Sequence, residues 1–271
     1  MKLYIESISS WSTSCPEQAN LAEKAQTKSS LWPKLEFVPA MQRRRLSPFA
    51  KIALYTAEQA LSAPSVSSAQ SEVSGQVDIV FSSRHGDLHK TAELLTELTA
   101  NQDISPSAFS TSVHNAVPGL YSILKQNKQA INAISAGKDS FFYAFVDAYA
   151  RLKSGRTHNK LLIVHVDREL PELYSSFQDE QQVDHAVSIL VTLAPTATTQ
   201  ASIDLSFSAL AEPIINSQDP LALSLPAALC FMDWFEKTVT SSTLSGSSER
   251  HVFGSERHIW TCDLSASAAH A

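Results

Sequence analysis

One run, Leu161-Leu162-Ile163-Val164-His165-Val166, constrains this chain more than any other feature. Successive strand residues point to opposite faces of a sheet, so a strand with water on one side alternates apolar and polar residues. A run that is apolar at nearly every position needs cover on both faces, which is the environment of a central strand in an α/β sheet. The run therefore predicts a sheet buried between helical layers, with residues 161–166 at its centre.

The flanking segments supply the remaining layers. Residues 2–8 alternate as a half-buried strand, and a Ser-rich polar stretch follows. Phe49, Ile52, Ala53, Tyr55, Ala57 and Leu61 share one helical face after Ser47 and Pro48, a cap and first-turn pair. Residues 62–75 read as a Ser/Ala/Pro loop. Residues 77–81 read as a strand and 87–101 as an amphipathic helix. A second helix is expected within 110–125, kinked or delayed by Pro118. Residues 130–135 form a short buried strand in this reading, and 141–152 a strongly apolar helix. Strand candidates at 186–193 and 201–210 precede a long helix over 220–240. Residues 241–248 are flexible in composition, and 259–264 read as a last strand. Strands alternating with helices predict an α/β layered fold with a mainly parallel central sheet.

Charge and cysteine usage narrow the function. A formal net charge of -6 with 18% charged residues leaves no sustained cationic face for duplex nucleic acid. The triplet Arg43-Arg44-Arg45 reads as a solvated helix end or a set of ion-pair partners. Cys15, Cys230 and Cys262 lie far apart, without the paired spacing of a zinc site or a disulfide framework, which favours a reducing compartment. The first nine residues lack the cationic start and apolar run of a signal peptide, and no segment reaches membrane-spanning length. A cytoplasmic location is expected, with no membrane span, no nucleic-acid partner and no cofactor.

Several local groups carry chemistry. The run Ser135-Ala136-Gly137-Lys138-Asp139-Ser140, between a strand and a helix, resembles the SGGxDS pyrophosphate loop of ATP-pyrophosphatases, with Ala136 in place of one glycine. That resemblance implies an ATP-using ligase as the alternative function. A Walker loop fits worse, because Asn132 takes its first glycine position and Asp139 follows the lysine. His85, Asp87 and His89 cluster at a strand-to-helix turn as a metal candidate, against a reading as a cap and two solvated histidines. Asp167 and Glu169 read as the polar end of the central strand, and no G-x-S-x-G elbow of a serine hydrolase is present. Phe231, Trp234 and Phe235 are either a contact patch or intrachain core.

The segment from Ser105 to Gly119, SPSAFSTSVHNAVPG, resembles the part of β-ketoacyl synthases that precedes their nucleophile, with Pro106, Asn115 and Gly119 at the matching positions. Arg45-Leu46-Ser47-Pro48-Phe49-Ala50-Lys51-Ile52-Ala53-Leu54 resembles the same family's arginine, serine and lysine pattern ahead of an alanine-rich helix. Together they cover roughly residues 35–155. The resemblance implies half of a thiolase-like fold over residues 1–245, with a central mixed or parallel sheet covered by helices, and a tail at 246–271 carrying the candidate last strand. Extended without gaps, it sets the family's active cysteine at Lys138, between Gly137 and Asp139, and no cysteine lies between Cys15 and Cys230. Condensation begins with an acyl group on a thiolate at a helix N-terminus, and neither an amine nor a glycine carries that thioester. No catalytic residue is therefore assigned. Nor do His251 and His258 have the glycine- and threonine-rich context of the family's histidine motif.

What remains resembles the chain-length factors of type II polyketide systems, in particular the shortened ones of aryl polyene pathways. The resemblance implies a heterodimer with a full-length ketosynthase that acts on chains held by an acyl carrier protein. In that pair the present chain stabilises its partner and bounds the acyl tunnel. Ala108, Phe109, Val113, His114, Asn115, Val117 and Leu120 are the implied interface or tunnel residues, with ordinary core packing as the competing reading of each.

Overall fold

A computed structural model describes residues 1–13, 32–63, 76–155, 159–210, 223–242, 248–255 and 257–266. Cys15 and residues 64–75 of the expected loop lie outside them. The strands are β1 Lys2–Ser12, β2 Asp78–Ser82, β3 Ile131–Ile134, β4 Lys160–Asp167, β5 His185–Thr192, β6 Ala201–Ala209, β7 Ser248–Gly254 and β8 His258–Ala266. The helices are α1 Ala40–Arg43, α2 Pro48–Leu61, α3 Leu88–Thr99, α4 Pro106–Ser110, α5 Ala116–Lys125, α6 Ser140–Lys153 and α7 Ala227–Ser242.

One sheet joins the strands in the order β3-β2-β4-β5-β1-β6-β8-β7. Within it β4 is central and buried from Leu161 to Asp167. Its alternate residues feed two separate cores. Leu161 and Ile163 face the aromatic cluster of Phe141, Phe142, Phe145, Phe231 and Trp260 under α6 and α7. Leu162, Val164 and Val166 face α2 and α5 through Phe49, Ile52, Leu54 and Tyr121. The run at 161–166 is apolar because both of its sides are covered.

The sheet is mixed. Parallel pairing is confined to β3, β2 and β4, while β5, β1, β6, β8 and β7 all pair antiparallel. The expectation of a mainly parallel sheet fails after β4. A parallel return needs a crossover, usually a helix, and between β4 and β5 the chain forms only a short 3-10 turn, Glu172–Phe177.

Local signals hold at several element ends. Ser47 caps α2 as expected, its Oγ accepting from the Ala50 N–H at 3.2 Å. Pro118 falls in the first turn of α5, where its missing N–H costs nothing, and the expected helix divides into α4 and α5 ahead of it. β3 is half-buried instead of buried, because it is an edge strand paired only with β2. The long late helix begins at Ala227, after Pro226; residues 220–222 of its expected span lie outside the described residues. Phe231, Trp234 and Phe235 are core, not an exposed patch. β8 is the expected last strand, and β7 beside it was not anticipated.

Away from the helices, a buried carboxylate fastens the turn between β5 and β6. Glu6 on β1 is fully buried and accepts from the hydroxyls of Thr192 at 3.2 Å and Thr199 at 2.7 Å, and from those of Thr196 and Thr198. Burial alone pushes this carboxyl upward, but the threonine hydroxyls and the Lys160 charge reverse that and hold it below the usual range. Hydrogen bonds to a charged group contribute roughly 1.5–3 kcal/mol each, and the hydroxyls left behind can rebond only in part. Glu6→Ala is expected to cost about 2–4 kcal/mol in urea unfolding, with Glu6→Gln intermediate between the two.

Candidate functional site

The C-terminal ends of β2, β3 and β4 point to one side of the sheet, and the N-terminal end of β5 meets them there. Loops after β2, β3 and β4 converge at these ends, the usual place for a site in an open α/β sheet.

Asp167, the last residue of β4, organises the convergence. Its carboxylate accepts from Ser83 Oγ at 2.8 Å, from the Arg84 N–H at 3.0 and 2.9 Å, and from the His85 N–H at 3.1 Å. Ser83 Oγ in turn accepts from the Gly86 N–H at 2.7 Å. At Gly86 φ is +65°, and a Cβ would come within 2.8 Å of the His114 ring, so only glycine closes this turn.

The cations of the site are matched by acids of the loop after β4. Arg84 donates to both Asp179 oxygens at 2.9 and 2.7 Å and lies 3.2 Å from Glu180. Lys138 Nζ donates to the Asp179 backbone carbonyl at 3.1 Å and lies 3.4 Å from its carboxylate. Burial raises Asp179, but Arg84 and Lys138 bring it below the usual carboxylate range. Burial wins at Glu180, which is held above the usual range despite Arg84.

Two histidines complete the group, on the α6 and α7 side. His165 Nδ1 is 2.8 Å from Ser82 Oγ, and its Nε2 is 3.4 Å from Asp167 Oδ2. His185, paired in register with Asp167 across β4 and β5, uses Nδ1 on the Val183 carbonyl at 2.8 Å, while its buried Nε2 has no hydrogen-bond partner. Burial pushes His165 down to about 4, only partly opposed by Asp167. His165, Asp167 and His185 each bring a ligand atom within 4.8 Å of the others, the one such trio of potential ligands among the described residues. Beside them is a cavity of about 10 Å³, lined also by Arg84, Gly137, Lys138 and Glu180. The candidate group His85, Asp87 and His89 does not converge in this way: Asp87 stands at the N-cap of α3 without a side-chain cap bond, and both histidines are half-buried.

The loop at 135–139 is closed on itself. Ser140 Oγ accepts from the Ala136 N–H at 2.9 Å and donates to the Gly137 carbonyl at 2.7 Å, while the Asp139 and Ser140 N–H groups go to Ala136 and Gly137 carbonyls. Asp139 also fastens the loop to β8, accepting from Trp260 Nε1 at 2.6 Å and lying 2.9 Å from His258 Nδ1. The pyrophosphate-loop alternative is not supported: the Ala136, Asp139 and Ser140 amides are spent within the loop, and Lys138 is engaged by Asp179. Sequence reasoning missed Trp260 and His258 as anchors of this loop, because nothing local joins them to residue 139.

The expected interface residues divide. Phe109, Val113 and Asn115 are exposed; Ala108, His114 and Leu120 are half-buried; Val117 belongs to the core under α2. His114 stacks beneath Gly86, with its Nε2 buried and unpartnered. Burial raises both described thiols, Cys230 and Cys262, the latter to about 12.

Residues 11–253 match the family described as "Beta-ketoacyl synthase, N-terminal domain". Among solved structures the chain is similar to a ketosynthase (ApeO) in complex with its chain length factor (ApeC) from Xenorhabdus doucetiae. The identity is 25%, with 97% of this chain and 99% of that one covered and a TM-score of 0.70. The fold is shared with the ishigamide ketosynthase/chain length factor, at 11% identity, coverage of 98% and 99%, and a TM-score of 0.68. It is also shared with AntDE:AntF, a type II acyl-carrier protein in complex with its ketosynthase, at 12% identity, coverage of 98% and 99%, and a TM-score of 0.65. No curated protein matches the chain. Among the described residues no helix is long and apolar enough to cross a membrane.

The buried histidine makes the fold acid-sensitive. His165 titrates near 6.5 when unfolded and near 4 when folded, so protons favour the unfolded chain and stability falls with pH between those values. That contribution is complete above pH 6.5 and amounts to roughly 2–4 kcal/mol. Glu180, with its raised folded value, acts in the opposite sense and offsets part of the loss. Urea midpoints measured from pH 7 to pH 4.5 are expected to fall, and to fall less steeply in His165→Gln.

Proposed function

The chain belongs to the β-ketoacyl synthase N-terminal domain family, and from that premise we propose that it is a non-catalytic chain-length-factor subunit. In this reading it pairs with a full-length ketosynthase, stabilises it, and bounds the acyl tunnel during type II, aryl polyene-like synthesis on an acyl carrier protein. The reading carries a cytoplasmic location and needs no cofactor.

The observation that carries it is the turn after β3. In a condensing enzyme this strand-to-helix turn presents a thiolate and free N–H groups for the oxyanion. Here the position is taken by Lys138, half-buried and bonded to Asp179, and the Ala136, Asp139 and Ser140 amides are bonded inside the loop. The two described cysteines sit elsewhere, on α7 and β8, with thiols held in the protonated form at neutral pH.

The partner-facing surface proposed is the open edge of β3 together with α4, α5 and the turn between them. β3 bonds to β2 on one side only. Large apolar side chains stand exposed in the adjoining segments, Phe109 at 60%, Val113 at 45% and Ile123 at 72% of their surface. An uncovered edge with apolar neighbours is a liability unless another chain covers it.

Co-expression with a full-length ketosynthase tests the reading. The two chains are expected to purify as a heterodimer, and acyl transfer from a carrier protein is expected to label only the partner. Phe109→Asp and Val113→Asp are expected to weaken pairing at least tenfold while changing the chain's own stability by no more than about 0.5 kcal/mol, as for other exposed positions. Val113→Trp is expected to shorten the product if the residue reaches the tunnel. An acyl adduct on this chain, or a stable monomer indifferent to any ketosynthase, contradicts the proposal.

A further inference from the structure

We propose that His165, Asp167 and His185 bind one divalent transition-metal ion of the zinc class, independently of the chain-length-factor reading. The trio stands on two interior strands of the sheet, β4 and β5, each paired on both sides. His165 and Asp167 are two apart on β4 and so share a face, and His185 lies directly opposite Asp167 on β5. All three side chains are buried.

The donor set has the chemistry of a metal site. Two imidazole nitrogens and a carboxylate oxygen suit zinc and its neighbours, whereas calcium and magnesium prefer oxygen alone. Zinc bonds of about 2.0–2.1 Å set neighbouring ligand atoms about 3.3–3.4 Å apart in a tetrahedron, and His165 Nε2 lies 3.4 Å from Asp167 Oδ2. In the tautomer whose Nδ1–H donates to Ser82 Oγ, His165 Nε2 offers its lone pair on the side of Asp167 Oδ2.

Each ligand is also held from behind in the manner typical of metal-bound side chains. His185 Nδ1 donates to the Val183 carbonyl, which leaves the lone pair on Nε2, and that nitrogen is buried with no other partner. His165 Nδ1 is held by Ser82 Oγ. Asp167 is oriented by Ser83 and the Arg84 and His85 amides. The guanidinium of Arg84 and the ammonium of Lys138 are directed to Asp179 and Glu180, so neither side chain occupies the place of the metal. The adjoining cavity of about 10 Å³ accommodates one water-sized guest, enough for a fourth ligand.

The test uses the full chain, with its ketosynthase if the two purify together, stripped with a chelator and titrated with Zn(II) against a chromophoric competitor. Cobalt(II) is then substituted, and X-ray absorption is recorded on the zinc form. One equivalent of zinc is expected per chain, with a first shell of nitrogen and oxygen that includes two imidazoles. His185→Gln and Asp167→Asn are expected to weaken binding by at least about 100-fold, and Ser82→Ala by roughly tenfold, the range seen when outer partners are removed. Far-ultraviolet circular dichroism in chelator confirms that each variant is folded. Should a variant fail to fold, the absorption spectrum of the unaltered chain still decides. A sulfur-containing shell, affinity unchanged by His185→Gln, or no stoichiometric binding overturns the proposal; the last leaves His185 Nε2 facing ordinary water.

Discussion

Burial of β4 on both faces is the constraint from which the rest of this molecule follows. A strand with helices above and below has no solvent to satisfy polar groups until its end, so the chain concentrates its polar chemistry at that end. Asp167 sits there and is answered by one serine hydroxyl and two backbone amides from the loop after β2. That loop in turn orients Arg84 toward Asp179 and Glu180, which also engage or neighbour Lys138. The site is therefore one connected network, and its position is set by where the apolar strand stops.

The parts legible in the sequence were those with a local cause. The run at 161–166 gave away the central strand, Ser47 and Pro48 the start of α2, and the apolar spacing after Phe141 the helix α6. Pairing direction was not legible from hydropathy, because parallel and antiparallel central strands look alike when both faces are buried. A signal did exist: residues 168–184 contain no amphipathic helix, and without one a parallel return to β5 is hard to build. β7 escaped notice because Phe253 alone among its residues is buried, so neither alternation nor an apolar run marks it.

The site was legible only in halves. His165 and Asp167 stand at strand spacing, and Asp167 was read as the polar end of β4. His185 joins them only through the register of β5, which no local pattern announces. The same holds for Asp139, whose partners Trp260 and His258 lie across the sheet on β8. By contrast, the trio His85, Asp87 and His89 was visible as a candidate because it is close in sequence. Alternating positions at a turn disperse as easily as they gather, and here they disperse.

The two edges of the sheet differ in a way that bears on how the chain is used. β7 carries Glu249, Arg250 and His251 on largely exposed positions, and Arg250 is tied to Asp263 on β8 at 2.7 Å. Charges of this kind keep an edge from recruiting a further strand. β3 reads Ile-Asn-Ala-Ile, without a charge, and is half-buried already. An edge left uncharged costs solubility unless it is covered, so the asymmetry argues that β3 and not β7 meets another chain. That edge leads directly into the turn at 135–139, where Lys138 meets Asp179 and Asp139 is tied to Trp260 on β8. Covering β3 would thus bring a partner beside a turn already fastened to this chain's own β8 and to the loop after β4.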